Sequence, residues 1–233
     1  TVDNFIEFYM EGSGQKEFSV FIGNIPPQAP DNLSAEGHFS SIALHWDEDG
    51  DDLNDIGKEG NSMRRAGDDK KFTAKNQWGD VRKAYLSCIA WADYNVGRVL
   101  EAVKNSPEAD NTIVILWSDH GYHLGEKKSF KKFTLWEEAN RVPFIIHDRR
   151  EKSSATGRKV TQAVTLINVY RTLAQMAGLD VPEYVDGFSL VPQLNNQSTP
   201  VAAPAIMSWG RGNYSVRTRD WRLIQYFDGF QEL

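Results

Sequence analysis

The stretch from Thr112 to His147, TIVILWSDHGYHLGEKKSFKKFTLWEEANRVPFIIH, constrains this chain more than any other. Its opening run, Ile113 to Trp117, is apolar without alternation, which suits a strand buried on both faces, as in a parallel sheet. The run breaks at once into Ser118, Asp119, His120 and Gly121, and a second apolar run extends from Val142 to Ile146. In open α/β folds the chemistry lies just past the carboxyl ends of such strands. Asp119 and His120 fall there. A carboxylate beside an imidazole can hold a divalent cation, and Gly121 lets the backbone turn sharply behind them. Asp-His-Gly alone is equally a strand-end turn with a hydrogen-bonded Asp.

Helical spacing is clearest from Asp80 to Asn105, where Val81, Ala84, Tyr85, Cys88, Ile89, Ala92, Val96, Val99, Leu100 and Val103 recur at intervals of three and four. Cys88 lies on that stripe and reads as a core residue. Thr165 to Gly178 predicts a second amphipathic helix closed by glycine. Residues 1–15 also carry apolar positions at helical spacing, and Glu17 to Gly23 reads as a buried strand. Between Ser34 and Asp80 the chain is polar and acidic. Asp47, Glu48, Asp49, Asp51, Asp52 and Asp55 lack the spacing of a calcium-binding EF-hand loop and read as a solvated charge run. From Ala205 the chain alternates short strands, AIMSWG, YSVRTR and WRLIQYF, with turns. Helix followed by strand, twice over, argues for a layered α/β sheet with crossover helices.

Charge and composition exclude some functions. A net charge of −6 lacks the basic footprint of a nucleic-acid binder, and no apolar stretch reaches membrane-span length. The opening residues have neither the basic start nor the apolar core of a signal peptide. One cysteine excludes an internal disulfide. The absent initiator Met and the abrupt end at Leu233 suggest a piece of a longer chain.

The runs S-D-H-G-Y-H-L-G-E-K (Ser118 to Lys127) and K-F-T-L-W-E-E-A-N-R-V-P-F-I-I (Lys132 to Ile146) closely resemble the sulfatase family, nearest its iduronate-2-sulfatase and polysaccharide-sulfatase branch. The segment from Val164 to Leu194 resembles the stretch that comes after the metal motif in the family. The resemblance implies an α/β fold with a mostly parallel sheet sandwiched by helices, of the alkaline-phosphatase-like type. Residues 1–200 would form that domain without its N-terminal part, and residues 201–233 a truncated antiparallel C-terminal subdomain. It also implies calcium-dependent hydrolysis of a sulfate ester, on a carbohydrate or another sulfated partner, and a secreted or periplasmic home.

By that resemblance Asp119 and His120 match metal ligands and Lys132 a lysine that contacts the sulfate, though Lys132 also reads as one surface charge among Lys127, Lys128 and Lys131. His123 is either a substrate contact or loop packing. Arg211 and Asn213, in G-R-G-N-Y, are either polar contacts or turn residues. The family's nucleophile is a formylglycine made in a C/S-x-P-x-R motif, and Cys88, in C-I-A-W-A, does not fit it. The formylglycine and the opening acidic ligands are therefore expected on a segment preceding Thr1, and this chain alone is expected to be inactive. Gln28, in P-Q-A-P, stands where the family has a histidine, and Ser129 and Tyr214 stand where histidines are expected in the nearest branch. These departures support an alternative, a non-catalytic protein that keeps the fold for binding or assembly. A further alternative is a phosphate or phosphonate ester hydrolase of the same superfamily.

Overall fold

The computed structural model describes residues 7–11, 17–19, 56–64, 66–150, 157 and 159–233. The acidic run and Gln28 lie outside them. In chain order the elements begin with β1 (Glu7–Glu11), β2 (Glu17–Ser19), α1 (Gly57–Met63), α2 (Ala66–Ala74) and α3 (Trp78–Lys104). Then come β3 (Ile113–Trp117), β4 (His123–Leu124), β5 (Phe130–Lys131), α4 (Glu137–Asn140), β6 (Phe144–Asp148), α5 (Asn168–Ala177) and α6 (Val191–Asn195). The chain closes with β7 (Ala205–Ser208), β8 (Tyr214–Arg217), β9 (Arg222–Gln225) and β10 (Gln231–Glu232).

One sheet runs in the order β2-β1-β3-β6, and β3 sits at its centre as its apolar run requires. Ile113, Val114 and Ile115 are all buried, and Ile115 is wholly so, each worth about 1.5–3 kcal/mol of hydrophobic stabilisation. The α5 helix covers this sheet through Leu173, Val169 and Met176, which pack with Ile113, Ile115, Phe144 and Ile146. At its end Gly178 adopts φ +66, and the amides of Gly178 and Leu179 bond back to the last turn.

The expected parallel pairing does not hold among the described strands. The β3–β6 ladder is antiparallel, from Ile113 opposite Asp148 to Trp117 opposite Phe144, and so are β1–β3 and β1–β2. The connection from β3 to β6 is not a helical crossover. It folds back at the carboxyl end of β3, so the chain re-enters beside the strand it left.

Residues 7–11 are a strand, not part of a helix over residues 1–15, because pairing on both edges outweighs local helical spacing. The polar stretch before Asp80 holds the helices α1 and α2. A few apolar anchors suffice there: Ile56 and Met63 enter a core with Leu135, Trp136, Ile224 and Tyr226. The α3 helix is placed as its periodicity predicts, yet only Leu100 and Val103 of its stripe are buried. Cys88 is exposed, which corrects the core reading.

The second sheet, β10-β9-β8-β7, is the antiparallel C-terminal sheet that the tail predicts, with β10 as an additional edge. No helix among the described residues is long and apolar enough to cross a membrane.

Candidate active-site loop

Everything between β3 and β6 is one loop system gathered at the carboxyl end of β3. Ser118 opens it by donating from Oγ to the His120 carbonyl at 2.8 Å. The amide of Gly121 donates to the Ala139 carbonyl at 2.8 Å, drawing the turn against α4. A Cβ at this glycine would stand 1.9 Å from the Glu138 carbonyl oxygen, so the close approach depends on having no side chain.

That turn sets the tautomer of His120. Its Nδ1 lies 2.7 Å from the Gly121 carbonyl, which can only accept, so Nδ1 carries the proton. Neutral imidazole then leaves its lone pair on Nε2, and Nε2 lies 3.7 Å from Oδ2 of Asp119. The Asp119 side chain is 82% exposed, so its carboxylate reaches solvent while the backbone beneath is pinned. A carboxylate oxygen and an imidazole lone pair at this separation fit two neighbouring positions on one divalent cation, with ligand bonds of roughly 2–2.6 Å. Among the described residues no group of three or more His, Cys, Asp or Glu is placed to hold a metal.

His123 does not share that surface. Its ring is fully buried, with Nε2 2.7 Å from Thr134 Oγ1, Nδ1 3.8 Å from Glu138 Oε2, and an edge contact to Trp136. This is the loop-packing role; the substrate contact is corrected by burial. Burial, aided by the Glu126 and Glu137 charges, pushes the Glu138 carboxyl above its ordinary value.

The β4–β5 ladder sets His123 opposite Lys131 and so returns Lys132 toward the start of the loop. Lys132 places Nζ 5.3 Å from the Phe133 ring centroid. Lys127, Lys128, Lys131 and Phe133 all hold φ between +50 and +76, conformations that cost non-glycine residues roughly 1–3 kcal/mol each. Ser129 is completely buried within this loop, so it is not a pocket group.

Two further expected residues belong to the turn between β7 and β8. Arg211 is exposed. Asn213 is 6% exposed, accepts from the Phe227 amide through Oδ1 at 2.8 Å, and accepts from the Trp209 amide through its carbonyl at 3.0 Å. It builds the turn, which corrects its assignment as a substrate contact. Phe133 meets Trp209 with centroids 5.1 Å apart, bringing the Lys132 loop against the turn that carries Arg211.

Sequence reasoning missed the anchor of this loop. Glu137 Oε2 accepts from Arg217 Nε at 3.1 Å and from Arg222 Nη2 at 2.7 Å, while Arg222 Nη1 reaches the Leu135 carbonyl and Ser215. Burial opposes ionisation of Glu137, but hydrogen bonds from Arg217 and Arg222 more than offset it and hold the carboxyl below its ordinary value. Trp136 Nε1 donates to Glu232, which also accepts from Tyr226. The arginines stand 80 or more residues from Glu137, and no local pattern pairs them.

The comparisons with known proteins agree with this architecture. The sulfatase family model matches residues 3–179. A sulfatase of Formosa agariphila is 37% identical over 185 residues, covering 78% of this chain and 36% of that protein. A solved structure in complex with its substrate D-glucosamine-2-N,6-O-disulfate is 30% identical, with a TM-score of 0.50 over 64% of this chain and 32% of its own. A 2-O glycosaminoglycan sulfatase, 20% identical, shares the fold with a TM-score of 0.61 over 94% of this chain and 46% of its own. The α/β fold of the alkaline-phosphatase-like type is therefore the fold of this chain. The chain spans about a third of the length of the curated relatives it matches.

Proposed function

This chain belongs to the sulfatase family, and from that premise we propose that it is part of a sulfuric ester hydrolase acting on a sulfated carbohydrate. The observation that carries the reading is His120 with its Nε2 lone pair turned to the exposed Asp119 carboxylate at the end of the central strand. Asp119 and His120 would hold calcium, and the remaining ligands and the formylglycine nucleophile would come from sequence outside these residues. When bound, such a cation supplies positive charge that polarises a sulfate oxygen.

The chain's own residues bind and orient. Gly121 and Ser118 fix the turn that aims His120. Lys132, a compact point charge, contacts the sulfate oxygens, and Arg211 offers a planar fork suited to an oxyanion. The sugar bound by the relative, D-glucosamine-2-N,6-O-disulfate, supports a sulfated amino sugar as the substrate class. A secreted or periplasmic setting accords with this substrate.

The test is sulfate release from that sugar by the full-length protein, with and without chelator, combined with intact-mass analysis for formylglycine. Calcium-dependent release by wild-type protein, lost in Asp119→Ala, is the expected result. Gln28, which cannot shuttle a proton, favours a second reading, a non-catalytic binder. Saturable sugar binding without sulfate release, in protein lacking formylglycine, would establish the binder instead.

A further inference from the structure

We infer that Trp209, braced by Phe133, is an aromatic platform on which a sugar ring of the sulfated ligand stacks, with Lys132 and Arg211 supplying charge beside it. The inference rests on the reading of this site as one for a sulfated carbohydrate.

Four observations converge on the platform. First, both rings keep solvent-exposed surface, Phe133 at 45% and Trp209 at 41%. Second, the two rings meet at 5.1 Å with planes inclined by 32°, too close to lie side by side, so Phe133 stacks obliquely on Trp209 and braces it. Third, Phe133 is held at φ +76, a region that bulky residues avoid. Strained backbone of this kind gathers at ligand sites.

Fourth, the turn that carries Trp209 is rigid. Asn213 ties it through the Trp209 and Phe227 amides, and Gly212, at φ +88, lies so close to Phe227 that a Cβ would stand 2.6 Å from its ring. Trp209 is thus preorganised, and little side-chain entropy is lost when a ligand covers it.

The chemistry of the neighbours selects the occupant. A pyranose ring has an apolar C–H face that matches an aromatic surface, and its sulfate groups project from the ring edge. Lys132 Nζ sits 5.3 Å from the Phe133 centroid, and the exposed Arg211 comes two residues after Trp209. Cations beside an aromatic face fit an anionic sugar better than a neutral one or an apolar peptide.

The experiment measures equilibrium binding of D-glucosamine-2-N,6-O-disulfate and of inorganic sulfate to the full-length protein by calorimetry. Trp209→Ala is expected to weaken the sugar about tenfold, the loss of one stacking contact, while inorganic sulfate, which has no ring, shifts less than about twofold. Trp209→Phe should recover most of the sugar affinity. Should Trp209→Ala not fold, Trp209→Leu keeps apolar bulk, removes the aromatic face and should show the same split.

Equal sugar affinity in variant and wild type, or an equal loss for sugar and inorganic sulfate, overturns the platform. Sulfate release is measured on the same preparations. Trp209-dependent sugar binding without sulfate release overturns the hydrolytic reading and leaves the platform standing. Release with Trp209-independent binding does the reverse.

Discussion

At Gly121 the backbone leaves no room for a side chain, and the obstacle is the Glu138 carbonyl, which cannot swing aside. Gly121→Ala is therefore expected to cost about 3 kcal/mol, seen as a lower urea midpoint, because the turn must part from α4. The same displacement moves Asp119 and His120. Asp119→Asn should leave the fold intact and weaken calcium binding by about tenfold to a hundredfold, since one charged contact is worth about 1.5–3 kcal/mol. Calorimetric titration of the full-length protein with calcium checks it, and unchanged affinity would remove Asp119 from the ligand set. At this scale the residue types of S-D-H-G were legible, because a carboxylate, an imidazole and a glycine after an apolar run have a limited chemistry. The tautomer of His120 was not, because it depends on which carbonyl the ring meets.

The elements around the loop are joined by charge. Arg222 bonds the Glu137 carboxylate, the Leu135 carbonyl and Ser215 while its side chain is only 14% exposed, so β9 carries the peg that holds α4 in place. Arg222→Ala should cost about 2–3 kcal/mol and lower the melting temperature. Arg222→Lys should recover less than half of that, since an ammonium cannot reproduce the forked geometry. Full recovery by lysine would show that charge alone matters. The strands β3 and β6 and the helices α3 and α5 were legible from periodicity, which reports on the face that each element buries. The direction in which β3 and β6 pair was not, because it depends on whether their connection crosses the sheet or folds back at one end. The exposure of Cys88 was likewise hidden: a stripe shows that a helix has an apolar face, not what covers it.

Across the whole molecule, two neighbouring carboxylates make stability depend on pH in opposite senses. Glu137 is held below the ordinary value of 4.5, so its contribution is full above that value and is lost as pH falls through its depressed folded pKa. Glu138 is raised above 4.5, so in the window from 4.5 up to its folded pKa the native state binds more protons and stability falls as pH rises. Glu138→Gln should therefore stabilise the protein at about pH 7 and have little effect well below pH 4.5, whereas Glu137→Gln should destabilise at about pH 7 and flatten the acid limb. Chemical denaturation of both variants across that range checks the pair, and parallel curves would refute the assignment. By itself the sequence determined the buried central strand, the ligand-type residues at its end, the long helices, the C-terminal strands and the family. Each of these is written in contiguous residues whose spacing or identity is the physical cause. The tertiary structure alone decided that His123 and Asn213 are structural, that Glu137 meets two arginines, and that Phe133 and Trp209 share a surface. Those facts arise from contacts between segments far apart in the chain, and burial and pairing across such distances exist only once the chain has folded.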